Sequence, residues 1–185
     1  MRGFFVSTAT VRRDWATSKV ELLHELVAVS VEQTQTGALQ EGDLAMSSTD
    51  DLKDLVRRIY RARVEGDLES LMSFLDDDCL FRVVGNQHLA PLTDPVVGAA
   101  ALRVTMQYLI DNWDMRGIDF VSIHVDGDVA LIHRMGRMRF GATEYDTEIM
   151  DKMTFENGKL KECVEFVDTL QAAALLDVVK LPARN

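Results

Sequence analysis

From Glu144 to Phe155 the chain alternates in polarity. Successive strand side chains point to opposite faces, so Tyr145, Thr147, Ile149, Asp151, Met153 and Phe155 share one side, while Glu144, Asp146, Glu148, Lys152 and Thr154 share the other. The first side is almost wholly apolar, and Asp151 is its one carboxylate. An ionisable group in such company is either an oddity of packing or a site.

Similar patterning predicts strands at 79–85, 118–125, 129–140, 145–155 and 160–167. The last four are separated by DGD, GAT and ENGK, the short polar or glycine-bearing connections of antiparallel hairpins. Helical spacing governs the segment before them. Leu52, Leu55, Val56, Ile59 and Ala62 or Arg63 mark the buried face of a helix that is capped at Ser47, Ser48 or Thr49 and carries Asp50 and Asp51 in its first turn. Gly66 ends it. Asp67 then caps a shorter helix with Leu68, Leu71, Met72 and Leu75 as its apolar positions, closed on the surface by Asp76, Asp77 and Asp78. A third helix begins after Gly98 and sets Leu102, Met106 or Thr105, Leu109 and Trp113 on one face, ending near Asp114. The intervening NQHLAPLTDPVVG, with two prolines, reads as a long loop. TLQAAALLDVV after Asp168 reads as a short helix or ordered tail.

Residues 1–47 differ in character: a basic opening, one helix at about 18–32 with Val20, Leu23, Leu26 or Val27, and Val31 on a face, then a polar run. Met46 followed by SSTDDLKDLV also reads as a start, so an upstream extension of the reading frame explains these residues equally well. The organisation expected is an extension over 1–47, a domain over 48–178 and a tail over 179–185.

Composition narrows the partners. A net charge of −10 over 185 residues argues against nucleic acid, which needs a basic surface. Arg57, Arg58, Arg61 and Arg63 cluster on the first helix, where a solvated face is expected. Cys79 and Cys163 sit in predicted strands as reduced buried thiols, and the four histidines show no metal-ligand spacing, so no metal site is expected. No apolar run approaches the ~20 residues of a membrane span, and no secretory signal is evident. A cytoplasmic protein that binds no membrane is the expectation.

VEGDLESLMSFLDDDCLF, the hairpin around DGDVALIHRMGRM and ENGKLKECVEFVDTLQAAALL resemble the SnoaL-like branch of the nuclear transport factor two-like superfamily, over about residues 49–178. The resemblance implies an α+β fold: a cone-shaped, curved antiparallel sheet, or half barrel, with helices packed on its concave face. It also implies an apolar pocket in the cone and a homodimer through the outer face of the sheet, with no cofactor. Family members include ketosteroid isomerases, polyketide cyclases, epoxide hydrolases, dehydratases and non-catalytic association modules, so the site must decide the function.

Against ketosteroid isomerase, the chain has Ile59 at the oxyanion-hole tyrosine, with Tyr60 one position away on a different face. Val83 replaces the base aspartate, and Asp151 matches the acid that donates to the oxyanion, in the pattern D-x-x-x-F ending at Phe155. Limonene-type epoxide hydrolases set an arginine between two aspartates. Here Asp151 and Asp168 are candidate acids and Arg134, Arg137 or Arg139 the candidate cation, without the family's Arg-x-Asp pattern. Polyketide cyclases pair an aspartate with a histidine, for which Asp151 and His133 could serve. Both parities of 129–140 are apolar, so the facing of His133 is open. Glu165 is open too, because Cys163, Glu165 and Val167 form one face and Leu160, Val164, Phe166 and Asp168 the other.

The candidate site is therefore Asp151 and His133 as catalytic groups, walled by Tyr60, Phe81, Val83, Met106, Trp113, Tyr145, Ile149 and Glu165. The expected function is binding of an apolar small molecule, with general acid/base chemistry of isomerase, cyclase, dehydratase or hydrolase type. The alternative is a ligand-binding or association module in which Asp151 is a carboxylate satisfied by an amide, a tyrosine or an arginine.

Overall fold

The structure, a computed structural model, describes residues 49–180; the expectations for 1–47 lie outside these residues. Helix α1 (Thr49–Glu65) opens on Asp50 and Asp51 and buries Leu52, Leu55, Val56, Ile59 and Tyr60. Helix α2 (Leu68–Ser73) is capped by Asp67, which accepts from the Ser70 amide at 3.0 Å. Strand β1 (Leu75–Val83) follows, then a 3₁₀ turn (Gln87–Leu89), the two-residue strand β2 (Val96–Val97) and helix α3 (Ala99–Asn112). Strands β3 (Trp113–Asp126), β4 (Val129–Phe140), β5 (Thr143–Glu156) and β6 (Lys159–Phe166) form the meander, and helix α4 (Thr169–Leu175) closes the described chain.

The six strands form one curved, open sheet in the order β2-β1-β6-β5-β4-β3. The fold is the expected α+β cone, with one refinement. Strand β1 lies parallel to β6, pairing Phe81 with Cys163 and Val83 with Glu165, so the sheet is mixed. Its inner face packs on the helices: Leu52, Val56, Ile59, Leu71 and Leu102 from the helices join Cys79, Phe81, Ile132, Met153 and Phe155 from the sheet in one core. A smaller cluster of Met115, Met138 and Ile149 extends this interior, with Trp113, Tyr145 and Val167 against it.

Two local devices position the site. Strands β3 and β4 approach closely at Gly117 and Gly136: a Cβ on Gly136, whose φ is 146°, would lie 2.1 Å from the Gly117 carbonyl oxygen. Only glycine fits there, two residues beyond Arg134. The second device is a bulge at Lys161, where Phe155 pairs with Leu160 but Thr154 pairs with Glu162. The extra residue puts Leu160 and Cys163, three apart, on the same inner face.

Three expectations need correction. The acids Asp76, Asp77 and Asp78 lie in β1 rather than at a helix end, and Lys161 neutralises them from β6, bonding Asp78 and reaching Asp76 at 3.4 Å. Trp113 is the first residue of β3 rather than part of the helix, because its extended backbone ends α3 without a loop. The proline-bearing stretch contains the 3₁₀ turn and β2, the latter pairing Val96 and Val97 with Phe81 and Leu80.

Candidate functional site

The three central strands bring three charged side chains together inside the cone. Burial in β4 alternates so that Ala130, Ile132, Arg134 and Met138 face inward, while Leu131, His133 and Met135 face out. In β5 the expected face is observed, with Ile149, Asp151, Met153 and Phe155 all buried. The bulge in β6 turns Glu165 inward, directly opposite Asp151 on the ladder.

Arg134 and Asp151 are 3% and 0% exposed. Arg134 Nε donates to Asp151 Oδ2 at 2.8 Å, and Nη2 lies 2.6 Å from the same oxygen and 3.2 Å from Glu165 Oε1. From α1, the Tyr60 hydroxyl donates to Asp151 Oδ2 at 2.5 Å, and the Arg134 guanidinium lies 4.1 Å from the centre of the Tyr60 ring. Arg63, one turn further along α1, donates through Nη2 to the carbonyls of Leu109 at 2.7 Å and Trp113 at 3.0 Å. It thus caps the C-terminus of α3 with a cation, where the helix dipole favours one. Burial lowers its pKa to about 10, against the pull of the neighbouring Glu165 carboxylate.

The two acids are held differently. Burial pushes the Asp151 carboxyl above its usual range, opposed by Arg134 and by the Tyr60 hydroxyl. Glu165 is pushed up to about 7, first by burial and then by the Asp151 charge, against Arg134 and Arg63. Two carboxyls facing each other across the ladder resist ionising together, while Arg134 between them and Arg63 beside Glu165 favour the charged forms. Asp151 Oδ1 is buried with no hydrogen-bond partner among the described residues. Burial also raises the Tyr60 hydroxyl well above its ordinary value, so it acts as a donor rather than a phenolate. The Cys79 thiol is raised to about 12 and Cys163 is raised as well, both by burial, which leaves them unreactive.

A cavity of ≈130 Å³ runs into the cone beside this cluster. Tyr60, Phe81, Val83, Met106, Trp113, Tyr145, Ile149 and Glu165 all border it. Arg63, Arg134 and Thr147 border it too, and Asp168 and Gln171 of the α4 region complete the polar part of its wall. Its size is close to the ~150 Å³ apolar cavity known to hold benzene, so it suits a ring-sized guest. Asp151 lies behind Arg134 and Glu165 rather than on the wall.

Three site expectations change with this geometry. His133 is on the opposite face of the sheet from Asp151, where its Nε2 pairs with Glu148 Oε1 at 2.6 Å, because β4 uses its other parity inward. Asp168 is a helix cap, accepting from the Gln171 amide at 3.0 Å. Tyr60 borders the cavity as expected, but Ile59 does so too, so two neighbours expected on different faces both reach it. Glu165, expected only as wall, and Arg63, expected on a solvated face, are the polar groups whose importance the sequence underplayed. A signal existed for Arg63, which falls at the helical spacing of the buried face of α1. Among the described residues no cluster of potential ligands could hold a metal ion.

A buried arginine shared by two carboxyls lies beside an apolar cavity, inside a cone of curved sheet and helices, an arrangement that defines a fold rather than a particular chemistry. The SnoaL-like domain matches residues 56–163, more than half of the chain, and the protein belongs to that family. No curated protein matches it. Among solved structures, an LEH-like epoxide hydrolase of M. tuberculosis superposes with a TM-score of 0.57 at 15% identity, covering 70% of this chain and 92% of that one. An NTF2-like protein from Burkholderia xenovorans LB400 gives 0.58 at 21% identity, covering 70% and 98%. A de novo designed protein with a curved β-sheet gives 0.53 at 16%, covering 71% and 97%. At these identities the likeness is one of fold.

Proposed function

We propose that the chain binds an apolar small molecule in the cone and carries out cofactor-independent proton transfer on it, with Glu165 as the acid/base group. The observation that carries this reading is Glu165 itself: an acid with a pKa near 7, bordering an apolar cavity and facing a second buried acid. A group poised at neutral pH can both accept and return a proton. As carboxylate it takes a proton from a bound carbon acid or an attacking water; as acid it returns that proton to the oxygen that becomes negative. Arg134 holds the charge balance, and Asp151 fixes Arg134 while raising Glu165. Isomerisation, cyclisation, dehydration and hydrolysis all fit this pair, and the neighbours' epoxide hydrolase is one instance of such a reaction in this fold. Cys79 and Cys163, both free, suit a reducing cytoplasm.

A second reading has its own support. Asp151 is fully buried and bonded by both Arg134 and Tyr60, which is how a structural anchor is built. In that reading the cone binds its guest without changing it. Mass spectrometry of the native protein identifies any co-purified guest. Incubation of that compound with wild type and with Glu165→Gln then separates the readings: product from wild type alone supports proton transfer, and an unchanged compound with both supports binding.

A further inference from the structure

A second cavity, ≈250 Å³, opens on the other side of Tyr60 and Arg134, between α1 and the edge strand β3. One face of α1 supplies Arg57, Tyr60, Arg61 and Val64, at the i, i+3, i+4, i+7 spacing that lines up side chains. Met115, Ile118 and Phe120 of β3 form the opposite wall, and Arg134 forms the floor. The edge of the Tyr60 ring meets Phe120 with centroids 5.4 Å apart, so this aromatic pair and Arg134 together partition the groove from the cone.

The groove has one chemical signature on each level. Its walls are apolar and partly open to solvent, with Phe120 40% and Val64 36% exposed. Its rim is cationic. Arg57 is bonded only to Asp54 on its own helix, at 2.6 Å between exposed groups, and Arg61 makes no ion pair among the described residues. A solvated face explains the arginines alone, but not exposed apolar side chains arranged beneath them.

We propose that this groove is a binding site for an apolar molecule bearing a carboxylate, with the carboxylate held by Arg61 and Arg57 and the hydrocarbon laid along Val64, Met115, Ile118 and Phe120. The net charge of −10 repels an anion from the molecule as a whole. Screening limits that repulsion to about 8 Å at physiological salt, so the two rim arginines, one helical turn apart on α1, dominate locally. Guanidinium groups bind carboxylates through paired donors, which makes the rim selective for the acid over a neutral analogue. This site stands whether or not Glu165 transfers protons: it shares the Tyr60, Met115 and Arg134 partition with the cone, but Glu165 does not line it.

The test is calorimetric titration of the full chain with decanoate and with decanol, at low and high ionic strength. Decanoate should bind more tightly than decanol, and its affinity should fall as salt rises. Arg61→Glu, at an exposed position, should weaken decanoate about tenfold or more, the loss of one charge-assisted contact. Gln171→Trp, which obstructs the cone and not the groove, should leave decanoate binding unchanged. Equal affinity for acid and alcohol would overturn the proposal. So would decanoate binding unaffected by Arg61→Glu or lost in Gln171→Trp, and so would no binding of decanoate at all.

Discussion

Arg134 grips Asp151 through a single carboxylate oxygen. Two of its nitrogens, Nε at 2.8 Å and Nη2 at 2.6 Å, converge on Oδ2, the same atom to which Tyr60 donates at 2.5 Å. Oδ1 is left buried and without a hydrogen-bond partner among the described residues. This asymmetry makes the cluster strong as a unit and vulnerable when one member is removed.

Removing the cation should be the more damaging single change. Arg134→Met leaves Asp151 charged or forcibly protonated in the core and should cost about 3–5 kcal/mol, the usual penalty for breaking a buried ion pair. Arg134→Met with Asp151→Leu should recover most of that loss, because apolar groups then replace both charges. Urea unfolding of the two variants checks this, and equal stability of both would contradict it.

Stability should fall as pH rises. Glu165 has a pKa of about 7 in the folded chain and ~4.3 when unfolded, so the native state binds the extra proton. The native state is therefore favoured at the acid end of this window, loses about 3 kcal/mol as pH climbs from ~4.3 to about 7, and levels off above. Asp151 is shifted in the same direction and adds to the slope. Glu165→Gln should flatten most of the dependence in chemical denaturation curves taken across that range.

Steroid enones should not be isomerised. Val83 has no group to accept a proton and Ile59 none to stabilise an oxyanion, although both border the cavity. A spectrophotometric assay should show no turnover above background; turnover lost in Asp151→Asn would refute this.

The outer face of the sheet should pair with a second copy. Leu131, Met135, Met150 and Phe166 are 40–50% exposed there, more apolar surface than isolated side chains present. Sedimentation should show a dimer at micromolar concentration, and Leu131→Glu with Met150→Glu should yield a folded monomer. Wild type sedimenting as a monomer would remove the basis for this interface.

How far the sequence disclosed all this depended on local contrast. Strand β5 was legible because its outer face carries Glu144, Asp146, Glu148 and Lys152, so only one facing buries the apolar set. Strand β4 was not, since Leu131 and Met135 outside are as apolar as Ile132 and Met138 inside. The start of β1 was hidden because three consecutive acids argue against a strand until Lys161 is placed beside them. That Ile59 and Tyr60 share a buried face was hidden by helix geometry, as α1 buries a face wide enough to hold both. The likeness to a family gave the cone, but the arginine it suggested had three candidates, and only the inward parity of β4 selects Arg134 over Arg137 and Arg139.

The extra residue at Lys161 has a consequence for how such a site arises. The hairpin end of the β5–β6 ladder pairs Glu156 with Lys159 and Phe155 with Leu160. Continued without interruption, that count would set Val164 opposite Asp151 and turn Glu165 to the outside. The single slipped position converts a lone acid in an oily wall into a facing diacid. Deleting that one residue would part the two acids with every side chain of the site unchanged. Relatives that share the site are better sought by asking which residue faces Asp151 across the ladder than by matching letters in a motif.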